Sequence, residues 1–310
     1  MSMSLVRGWE SLPSLQGGYA SIGNFDGVHR GHQAMLNVLI SRARSDNVPA
    51  VAVTFDPHPI ALLKPEAAPP ALTTIEHRAE LLCRYGVDVT LVLPTDRSLL
   101  ALTAEEFFDD VVRGRLHARG LVEGPNFFFG RNRSGNITVL RSLCGSHGLS
   151  FDVAPPATVD EQLVSSSVIR SLLETGDMAH AVRLLGHPYR LTGTVGQGAQ
   201  RGRTIGFPTA NLVDVKTLIP ANGVYAGWAY GTNHRHAAAI HIGPNPTFAE
   251  AARKIEVHIL DFQGDLYHQS LSIDFLERVR DVRKFASVDE LRSQLQQDIQ
   301  SVRLITAEPG

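Results

Sequence analysis

Residues 23–32 read GNFDGVHRGH and join a predicted strand, Tyr19–Ile22, to a predicted helix that begins near Ala34. A glycine-rich turn between a strand and a helix lets the backbone approach a phosphate closely, and the helix N-terminus attracts anions. His29 and His32 lie three residues apart and should point the same way. Each can donate a hydrogen bond to a phosphate oxygen, and a protonated ring adds charge. The stretch therefore predicts a site that stabilises a nucleotide's α-phosphate while pyrophosphate leaves.

Two other interpretations of this stretch stay open at this point. A glycine-rich turn between strand and helix is often only a tight connection. Two histidines three apart are also half of a metal site, but a metal needs more ligands, and this stretch adds only Asp26.

Composition sets the class of protein. The 310 residues suffice for two domains, and a formal net charge of -2 gives no overall attraction to nucleic acid. Cys83 and Cys144 form no metal or redox motif, which favours incidental thiols. No signal peptide or apolar run of membrane-spanning length is visible. We expect a soluble cytoplasmic protein with no nucleic-acid or membrane partner, and a homo-oligomer stays open.

The first half of the chain alternates predicted strands and helices. The further strands are Ala50–Phe55, Val87–Leu93, Arg119–Val122 and Leu149–Val153. The helices are Thr74–Tyr85, one that opens with a capping box at Thr103–Glu106, and one over Ile137–His147. This alternation predicts a mostly parallel, Rossmann-like α/β sheet, and ligands bind such sheets beyond the carboxyl ends of the strands.

Three more segments of this half are candidates for the same site. Thr54–Pro59 leaves a strand end, although a rigid loop with an exposed histidine is the simpler interpretation. Gly124–Gly135 sets three phenylalanines beside two arginines, as a ligand loop or as a loop that covers the core. Val164–Arg170 opens a helix with three serines, which are either N-caps or a second anion site for the departing pyrophosphate.

The second half changes period after a short helix at Asp177–Leu185. Its predicted strands are Tyr189–Val195, Val224–Tyr230, His236–Ile242, Lys254–Leu260 and Leu271–Leu276. Successive strands without helices predict an antiparallel barrel, and a helix with a capping box at Ser287 and Glu290 closes the chain, from Val288 to about Val302. We place the domain boundary near Gly186, which gives domains 1–186 and 187–310.

A second glycine-rich run, residues 193–211, could form a flap over a triphosphate with Arg201 and Arg203, or only a hairpin. Thr209 and Asn211 offer oxygen ligands that suit Mg²⁺. Further along, Ile255, Val257 and Ile259 alternate with Glu256 and His258, so Glu256 faces away from the apolar side of its strand. If that face lies near Thr209 and Asn211, Glu256 could act as a general base on an attacking hydroxyl.

Five strings of this chain, in order, resemble those of the bacterial bifunctional riboflavin kinase/FMN adenylyltransferases, also called FAD synthetases. Gly23–His32 is similar to GNFDGVHxGH, Thr54–Pro59 to TFxPHP, Ser165–Arg170 to SSTxIR and Gly202–Asn211 to GRxxGFPTAN, and Glu256–Leu260 lies within IEVHIL. The resemblance covers nearly the whole chain. It implies two reactions: the barrel domain would phosphorylate riboflavin with ATP to give FMN, and the α/β domain would transfer AMP from ATP to FMN to give FAD and pyrophosphate.

The resemblance also implies roles for individual residues. The catalytic residues would be Glu256, as the kinase base, and His29, His32 and Arg170 in adenylyl transfer. The adenylyltransferase nucleotide site would hold Gly23, Asn24, Phe25, Asp26, Asn126, Ser166 and Ser167. The kinase ATP site would hold Gly198, Arg203, Gly206, Pro208, Thr209 and Asn211, of which Thr209 and Asn211 would bind Mg²⁺. Arg280 and Phe285 would contact the flavin.

The chain departs from the family pattern in three of its segments. Ser167 stands where the family has threonine, which keeps the hydroxyl. Pro125 and Asn126 replace part of GxDFxFG, so an amide stands in place of the acid. Val282 takes the acidic position of RxExxF.

Three alternatives to a bifunctional enzyme follow. In the first, only the kinase half is active. In the second, the protein is a flavin- or nucleotide-binding regulator without turnover, although a pure binder has no need of Glu256. In the third, the first half acts like a cytidylyltransferase on another substrate, which the kinase-type barrel disfavours.

Overall fold

The computed structural model describes residues 4–9, 17–198, 202, 205–231, 235–248 and 250–307. The chain divides by its contacts into two compact units, residues 1–165 and 166–310. Among the described residues, no helix combines the length and the apolar character that crossing a membrane requires.

The first unit is built on a six-stranded parallel sheet. Its strands are β1 (Ser4–Arg7), β2 (Tyr19–Ile22), β3 (Ala50–Asp56), β4 (Val89–Pro94), β5 (Gly120–Glu123) and β8 (Ser150–Val153), in the spatial order β1-β4-β3-β2-β5-β8. The chain runs outward from β2 through β3 and β4 and then returns to the other side of β2 at β5. The switch of direction leaves a crevice between the carboxyl ends of β2 and β5, where sheets of this type bind ligands.

Two separate apolar clusters in this unit hold helices against the sheet. The helices are α1 (Arg30–Ser45), α2 (Pro59–Leu63), α3 (Ile75–Arg84), α4 (Arg97–Ala101), α5 (Ala104–Phe107) and α6 (Ile137–Ser146), with a π-helical stretch at Phe108–Arg115 and 3₁₀ turns at Pro65–Ala67 and Arg131–Arg133. Leu36 and Leu39 of α1 pack in one cluster with Ala50 and Ala52, while Phe108 and Leu140 pack in the other with Val53 and Leu121. The adjacent positions of β3 thus serve opposite clusters, as a buried parallel strand requires. Two small hairpins complete the unit, β6 (Phe128–Phe129) with β7 (Gly135–Asn136) and β9 (Thr158–Val159) with β10 (Gln162–Leu163).

The second unit begins with two helices, α7 (Ser166–Thr175) and α8 (Met178–Leu185), and continues into a closed six-stranded barrel. The barrel strands are β11 (Tyr189–Gly196), β12 (Ala210–Val213), β13 (Gly223–Tyr230), β14 (Arg235–Asn245), β15 (Glu250–Ile259) and β16 (Ser270–Arg280), in the order β11-β12-β15-β14-β13-β16. A 3₁₀ turn covers Pro246–Phe248, and the last helix, α9 (Val288–Ile305), packs on β13, β14 and β16.

The structure confirms the predicted fold class, a parallel α/β sheet followed by an antiparallel barrel with a terminal helix. The capping box at Thr103 and Glu106 is present with both of its hydrogen bonds. The predicted box at the start of α9 is only half formed. Ser287 accepts from the amide of Glu290, but the Glu290 carboxylate accepts from the amide of Ala286 rather than from that of Ser287.

Candidate active sites

The turn after β2 is held in its shape by a buried carboxylate. Asp26 is only 4% exposed and accepts hydrogen bonds from the amides of Leu72 and Thr73 and from the Thr73 hydroxyl. The guanidinium of Arg78 lies 3.3 Å from the same carboxylate. These partners all belong to the protein, so the Asp26 carboxylate supports the turn from inside.

Arg78 also ties the turn to the neighbouring strand β3. Its Nη1 donates to the hydroxyl of Thr54 at 3.0 Å, and that hydroxyl donates in turn to the carbonyl of Asn24, also at 3.0 Å. Thr54 opens the string Thr54–Pro59, whose His58 caps the short helix α2. The string therefore ends β3, passes through Pro57 and His58 and enters α2 at Pro59, and His58 is partly buried rather than exposed as expected.

His29 and His32 stack with their ring centroids 3.7 Å apart, which confirms that they point the same way. His29 is the N-cap of α1, and its Nδ1 accepts from the amide of His32. A neutral imidazole that accepts at Nδ1 carries its proton on Nε2, so His29 is oriented as a donor through Nε2. Gly31 permits this packing, since a Cβ there would come within 3.1 Å of the His29 ring.

The sequence left open whether His32 is protonated, and the structure favours the uncharged ring. Burial lowers its pKa well below the usual value, and the neighbouring His29 and Arg78 lower it further. At neutral pH the ring is therefore uncharged and acts through hydrogen bonding. His32 Nδ1 and Asn24 Oδ1 are buried without a hydrogen-bond partner among the described residues. Two such atoms near the turn after β2 are consistent with a bound ligand, because buried polar groups are normally paired.

Glu123 lies at the other side of the crevice, and sequence analysis did not single it out. Strand pairing between β2 and β5 ends at Ala20 and Leu121, and beyond that point Glu123 Oε1 accepts from the amide of Ile22 at 2.7 Å. The side chain is 1% exposed, and burial raises its pKa well above the usual value. Burial therefore favours the protonated form of the carboxyl group that bridges the two strands where they separate.

The loop at Gly124–Gly135 follows β5. Phe127 and Phe129 stack with centroids 5.5 Å apart and pack on the core, whereas Phe128 is 46% exposed beneath Arg133. Asn126 lies in the exposed turn. Two rings thus cover the core, as the second interpretation expects, and the accessible Phe128 and Arg133 leave the ligand-loop interpretation a prediction. Phe25, in contrast, is fully buried and packs against His32.

Of the three serines in the third segment, Ser165 ends the first unit, whereas Ser166 and Ser167 begin α7 in the second unit. Ser166 and Arg170 are partly buried, and Ser167 is exposed. The helix contacts α8, and the amide of Ala221 donates to the carbonyl of Leu173.

A pocket in the second unit lies between the barrel and α9. The barrel and its loops contribute Gly202, Phe207, Thr209, His241, Asn245, Glu256, Arg280, Val282 and Phe285, and α9 contributes Leu291, Leu295 and Ile299. Glu256 and His258 both line it, while Ile255 and Val257 are buried. The predicted alternation of this strand is thereby confirmed.

Glu256 is positioned by its neighbours on both sides. Its Oε2 accepts from Asn245 Nδ2 at 3.0 Å. Asn211 is its direct partner on β12 and His241 its direct partner on β14. Thr209 borders the same pocket, so the condition set for Glu256 as a base, a position near Thr209 and Asn211, is met.

Asn211 is packed tightly against the glycine-rich run. A Cβ on Gly198 would lie 2.1 Å from Asn211 Nδ2, so only glycine leaves the amide where it is. Gly206 adopts a positive φ of 91° in the turn that follows, and Pro208 is exposed. Arg203, predicted to bind ATP, lies outside the described residues.

A second, more open pocket adjoins the first. It is lined by Val195, Pro208, Thr209, Ile259, Phe262 and Tyr267, among others. Thr209 therefore stands between an aromatic and aliphatic pocket on one side and the pocket of Glu256 on the other.

Arg280 is firmly held. Its guanidinium forms a bidentate ion pair with Asp298 of α9, with Nη2 to Oδ2 at 2.7 Å and Nε to Oδ1 at 2.9 Å. Its carbon Cζ lies 5.6 Å from the centre of the Phe285 ring. Val282, which replaces the acidic residue of the family pattern, forms an apolar part of the pocket wall and lies close to Gly243. Asp298 was not predicted, because nothing local marks it.

Comparison with known proteins decides between the alternatives. A family model for FAD synthetase matches residues 12–168, and one for riboflavin kinase matches residues 185–306. The bifunctional riboflavin kinase/FMN adenylyltransferase of Escherichia coli (strain K12) is 36% identical over 301 residues, which cover 96% of each chain. This chain belongs to that family. The enzyme of Pseudomonas fluorescens is 36% identical over 307 residues, with 98% of each chain covered.

The family assignment fixes the chemistry. The protein is a bifunctional transferase that phosphorylates riboflavin to FMN with ATP and adenylylates FMN to FAD. Its small-molecule substrates are riboflavin, FMN and ATP. Nothing in the comparisons favours a kinase-only enzyme or a non-catalytic regulator.

One solved structure confirms the fold over nearly the full length. A Streptococcus pneumoniae protein described as a macrolide-efflux protein superimposes with a TM-score of 0.85 at 31% identity, over 96% of this chain and 98% of that one. Efflux is the description of that protein alone.

Proposed function

We propose that residues 1–186 carry the adenylyl transfer and residues 187–310 the phosphorylation of riboflavin. The two family models match on either side of residues 169–184, which supports this division. The histidine pair also follows a strand of the parallel sheet, whereas Glu256 belongs to the barrel. We place the protein in the cytoplasm, where the free thiols of Cys83 and Cys144 would persist.

Adenylyl transfer would take place at the turn after β2. FMN phosphate attacks the α-phosphorus of ATP directly, so no side chain becomes covalently modified, and the protein acts by positioning and by stabilising charge. His29 Nε2–H donates to the α-phosphate, while Asn24 and the neutral His32 supply the further polar contacts that their unpartnered atoms offer. Gly23, Phe25 and Asp26 shape the turn. Asn126 adds a nucleotide contact within the first unit, and Ser166, Ser167 and Arg170 keep the phosphate-binding role that the family resemblance implies.

Phosphorylation would take place between the two pockets of the barrel. Glu256, held by Asn245, takes the proton from the ribityl 5′-hydroxyl as that oxygen attacks the γ-phosphorus of ATP. The flavin ring occupies the pocket with Phe285 and Arg280, and ATP occupies the open pocket with Pro208; Gly198, Arg203 and Gly206 keep the ATP-binding role that the family resemblance implies. Thr209, which borders both pockets, stands where the two substrates meet.

Mg²⁺ fits the residues present. Thr209 and Asn211 offer a hydroxyl and an amide oxygen, both hard metal ligands. Because Gly198 has no Cβ, there is room for the Asn211 amide beside it. When bound, the ion would neutralise phosphate charge.

The position of Glu256 opposite Asn211, in the pocket that Thr209 also lines, carries the kinase assignment, and a pair of variants tests both proposed sites. Glu256→Gln keeps the hydrogen bond from Asn245 but lacks the base, so FMN formation should fall by about 10²–10⁴-fold. His29→Asn keeps an N-cap acceptor for α1, but its shorter amide places no donor at the position of His29 Nε2, so FAD formation from FMN should fall by about 10²-fold or more.

Each variant serves as the control for the other. Purified proteins are incubated with ATP, Mg²⁺ and either riboflavin or FMN, and the flavins are separated by chromatography over time. Glu256→Gln should still convert FMN to FAD, and His29→Asn should still form FMN. Equal loss of both activities in either variant would contradict two separate sites.

A further inference from the structure

His241 lies in the pocket of Glu256 and has no role so far. The two residues are direct partners on the antiparallel strands β14 and β15, and both line the pocket. Side chains of directly opposite residues stand on the same face with Cβ atoms about 4.5–5.5 Å apart. His241 therefore lies directly beside Glu256, the residue proposed to accept the proton from riboflavin.

The backbone fixes which ring nitrogen of His241 carries the hydrogen. Hydrogen bonds to the backbone at Gly243 and Pro244 act on its pKa. A proline offers only its carbonyl oxygen, so the ring nitrogen that faces Pro244 must be a donor. Nε2 has no partner among the described residues, which leaves Nδ1–H as that donor. Burial lowers the pKa of the ring despite the nearby Glu256, so the neutral form is favoured and Nε2 presents a lone pair.

A buried acceptor without a partner costs free energy. Because His241 Nε2 lies in a ligand pocket, we expect a donor on the ligand to supply the missing hydrogen bond. Riboflavin offers two kinds of donor, N3–H of the ring and the hydroxyls of the ribityl chain. The donor should be a ribityl hydroxyl, because His241 lies beside Glu256 and Glu256 has to contact the terminal hydroxyl of the ribityl chain.

We propose that His241 Nε2 accepts a hydrogen bond from a ribityl hydroxyl of riboflavin and so aligns the 5′-hydroxyl with Glu256. This inference rests on the proposed flavin pocket. It makes His241 a substrate-binding residue that distinguishes flavins with a polyhydroxyl chain from those without one.

The test compares riboflavin with lumiflavin, which has the same ring but a methyl group in place of the ribityl chain. Both constants come from the kinase reaction alone: the KM for riboflavin and the inhibition constant of lumiflavin against riboflavin. His241→Phe keeps a ring of similar size but has no acceptor. Loss of one such hydrogen bond should raise the KM for riboflavin about three- to tenfold and leave the inhibition constant of lumiflavin within about twofold.

His241→Gln restores an acceptor oxygen and should return the KM for riboflavin toward the wild-type value. If His241→Phe fails to fold, His241→Leu takes its place with the same expectation. Conversion of FMN to FAD is the internal control in every variant. A KM for riboflavin that does not change, or a rise that lumiflavin shares equally, overturns the role of His241.

Phe285→Ala separates this outcome from a failure of the flavin pocket itself. If the pocket is correct, loss of the aromatic wall should weaken riboflavin and lumiflavin together. If Phe285→Ala changes neither constant, the proposed pocket is wrong and the inference about His241 falls with it.

Discussion

The guanidinium of Arg78 lies 3.3 Å from the carboxylate of Asp26, and both side chains are buried beneath the histidine turn. Arg78 on α3 reaches Thr73 as well as Thr54 of β3, so one side chain connects three segments around the proposed nucleotide site. The ion pair therefore supports the turn from inside the protein.

Removing this guanidinium should cost far more than removing a surface charge. Arg78→Met would leave the Asp26 carboxylate buried and without its cation, which typically costs about 3–5 kcal/mol. Urea unfolding of the α/β unit should show that loss, together with reduced FAD formation. Arg84→Met, an exposed change on the same helix, should stay within about 0.5 kcal/mol of the wild type. Equal effects of the two variants would show that the buried network stabilises nothing.

Glu123 should make the stability of the α/β unit depend on pH. Its folded pKa is raised by burial, so the folded unit retains a proton that the unfolded chain releases above about pH 4.5. Stability from this group is therefore fully present below that pH and is lost as the pH rises toward the folded pKa. Glu123→Gln keeps an acceptor for the amide of Ile22 but does not titrate.

The measurement is the free energy of unfolding of both proteins across the pH range 4 to 9. The advantage of Glu123→Gln over the wild type should be small near pH 4 and grow as the pH rises. A difference that does not vary with pH would mean that Glu123 is not the titrating group.

A single methyl group at Gly198 should impair the kinase alone. The Cβ of Gly198→Ala would meet the Asn211 amide at 2.1 Å, so the amide must leave its position beside Glu256. We expect kcat for FMN formation to fall about tenfold or more, as a displacement near 1 Å can do, with FMN-to-FAD conversion unchanged. Gly145→Ala, on an exposed helix position with open space around it, is the control for introducing a methyl group. Unaltered kinase kinetics in Gly198→Ala would argue against a role for Asn211.

The ion pair between Arg280 and Asp298 should control riboflavin affinity. Asp298→Asn removes the negative charge that holds the guanidinium beside Phe285, and a loss near 1.4 kcal/mol corresponds to about tenfold in KM for riboflavin. Asp289→Asn, an exposed change on the same helix, should leave that KM nearly unchanged. The KM for ATP serves as a second control, since its proposed pocket does not include Asp298. Parallel changes in both KM values would point to a general disturbance of α9.

Much of the fold followed from periodicity, and the failures have physical reasons. Long strands such as β13 and helices with clear caps such as α5 were predicted, because a period and a boundary signal coincide there. In the main sheet and the barrel, β1 and β12 were missed, although β2, β5 and β8 have the same length and were predicted, so strand length alone is not the reason. Pairing with neighbours far along the chain, as in Ser4 with Val89, defines them instead.

For the sites, local strings located the turn at Gly23–His32 and the face of Glu256, because each is a continuous stretch of sequence. Arg78, Glu123 and Asp298 escaped notice, since each acts through a partner 18 to 101 residues away. His32 was predicted as a site residue from its place in the string, but its charge was not. The lowered pKa results mainly from burial, which only the folded structure defines.

Closure of the barrel has a consequence for synthesis of the chain. Its first strand, β11, is sealed by its last, β16, with Tyr189 opposite Phe275. On the ribosome, the α/β sheet has all its strands by residue 153, whereas the barrel has no partner for β11 on that side until residues 270–280 emerge. Contacts so distant in sequence form slowly, and edges that wait for partners are prone to wrong pairing. Translation stalled before β16 would thus release a chain with a complete sheet but an open barrel, which chaperones and proteases would treat as unfinished.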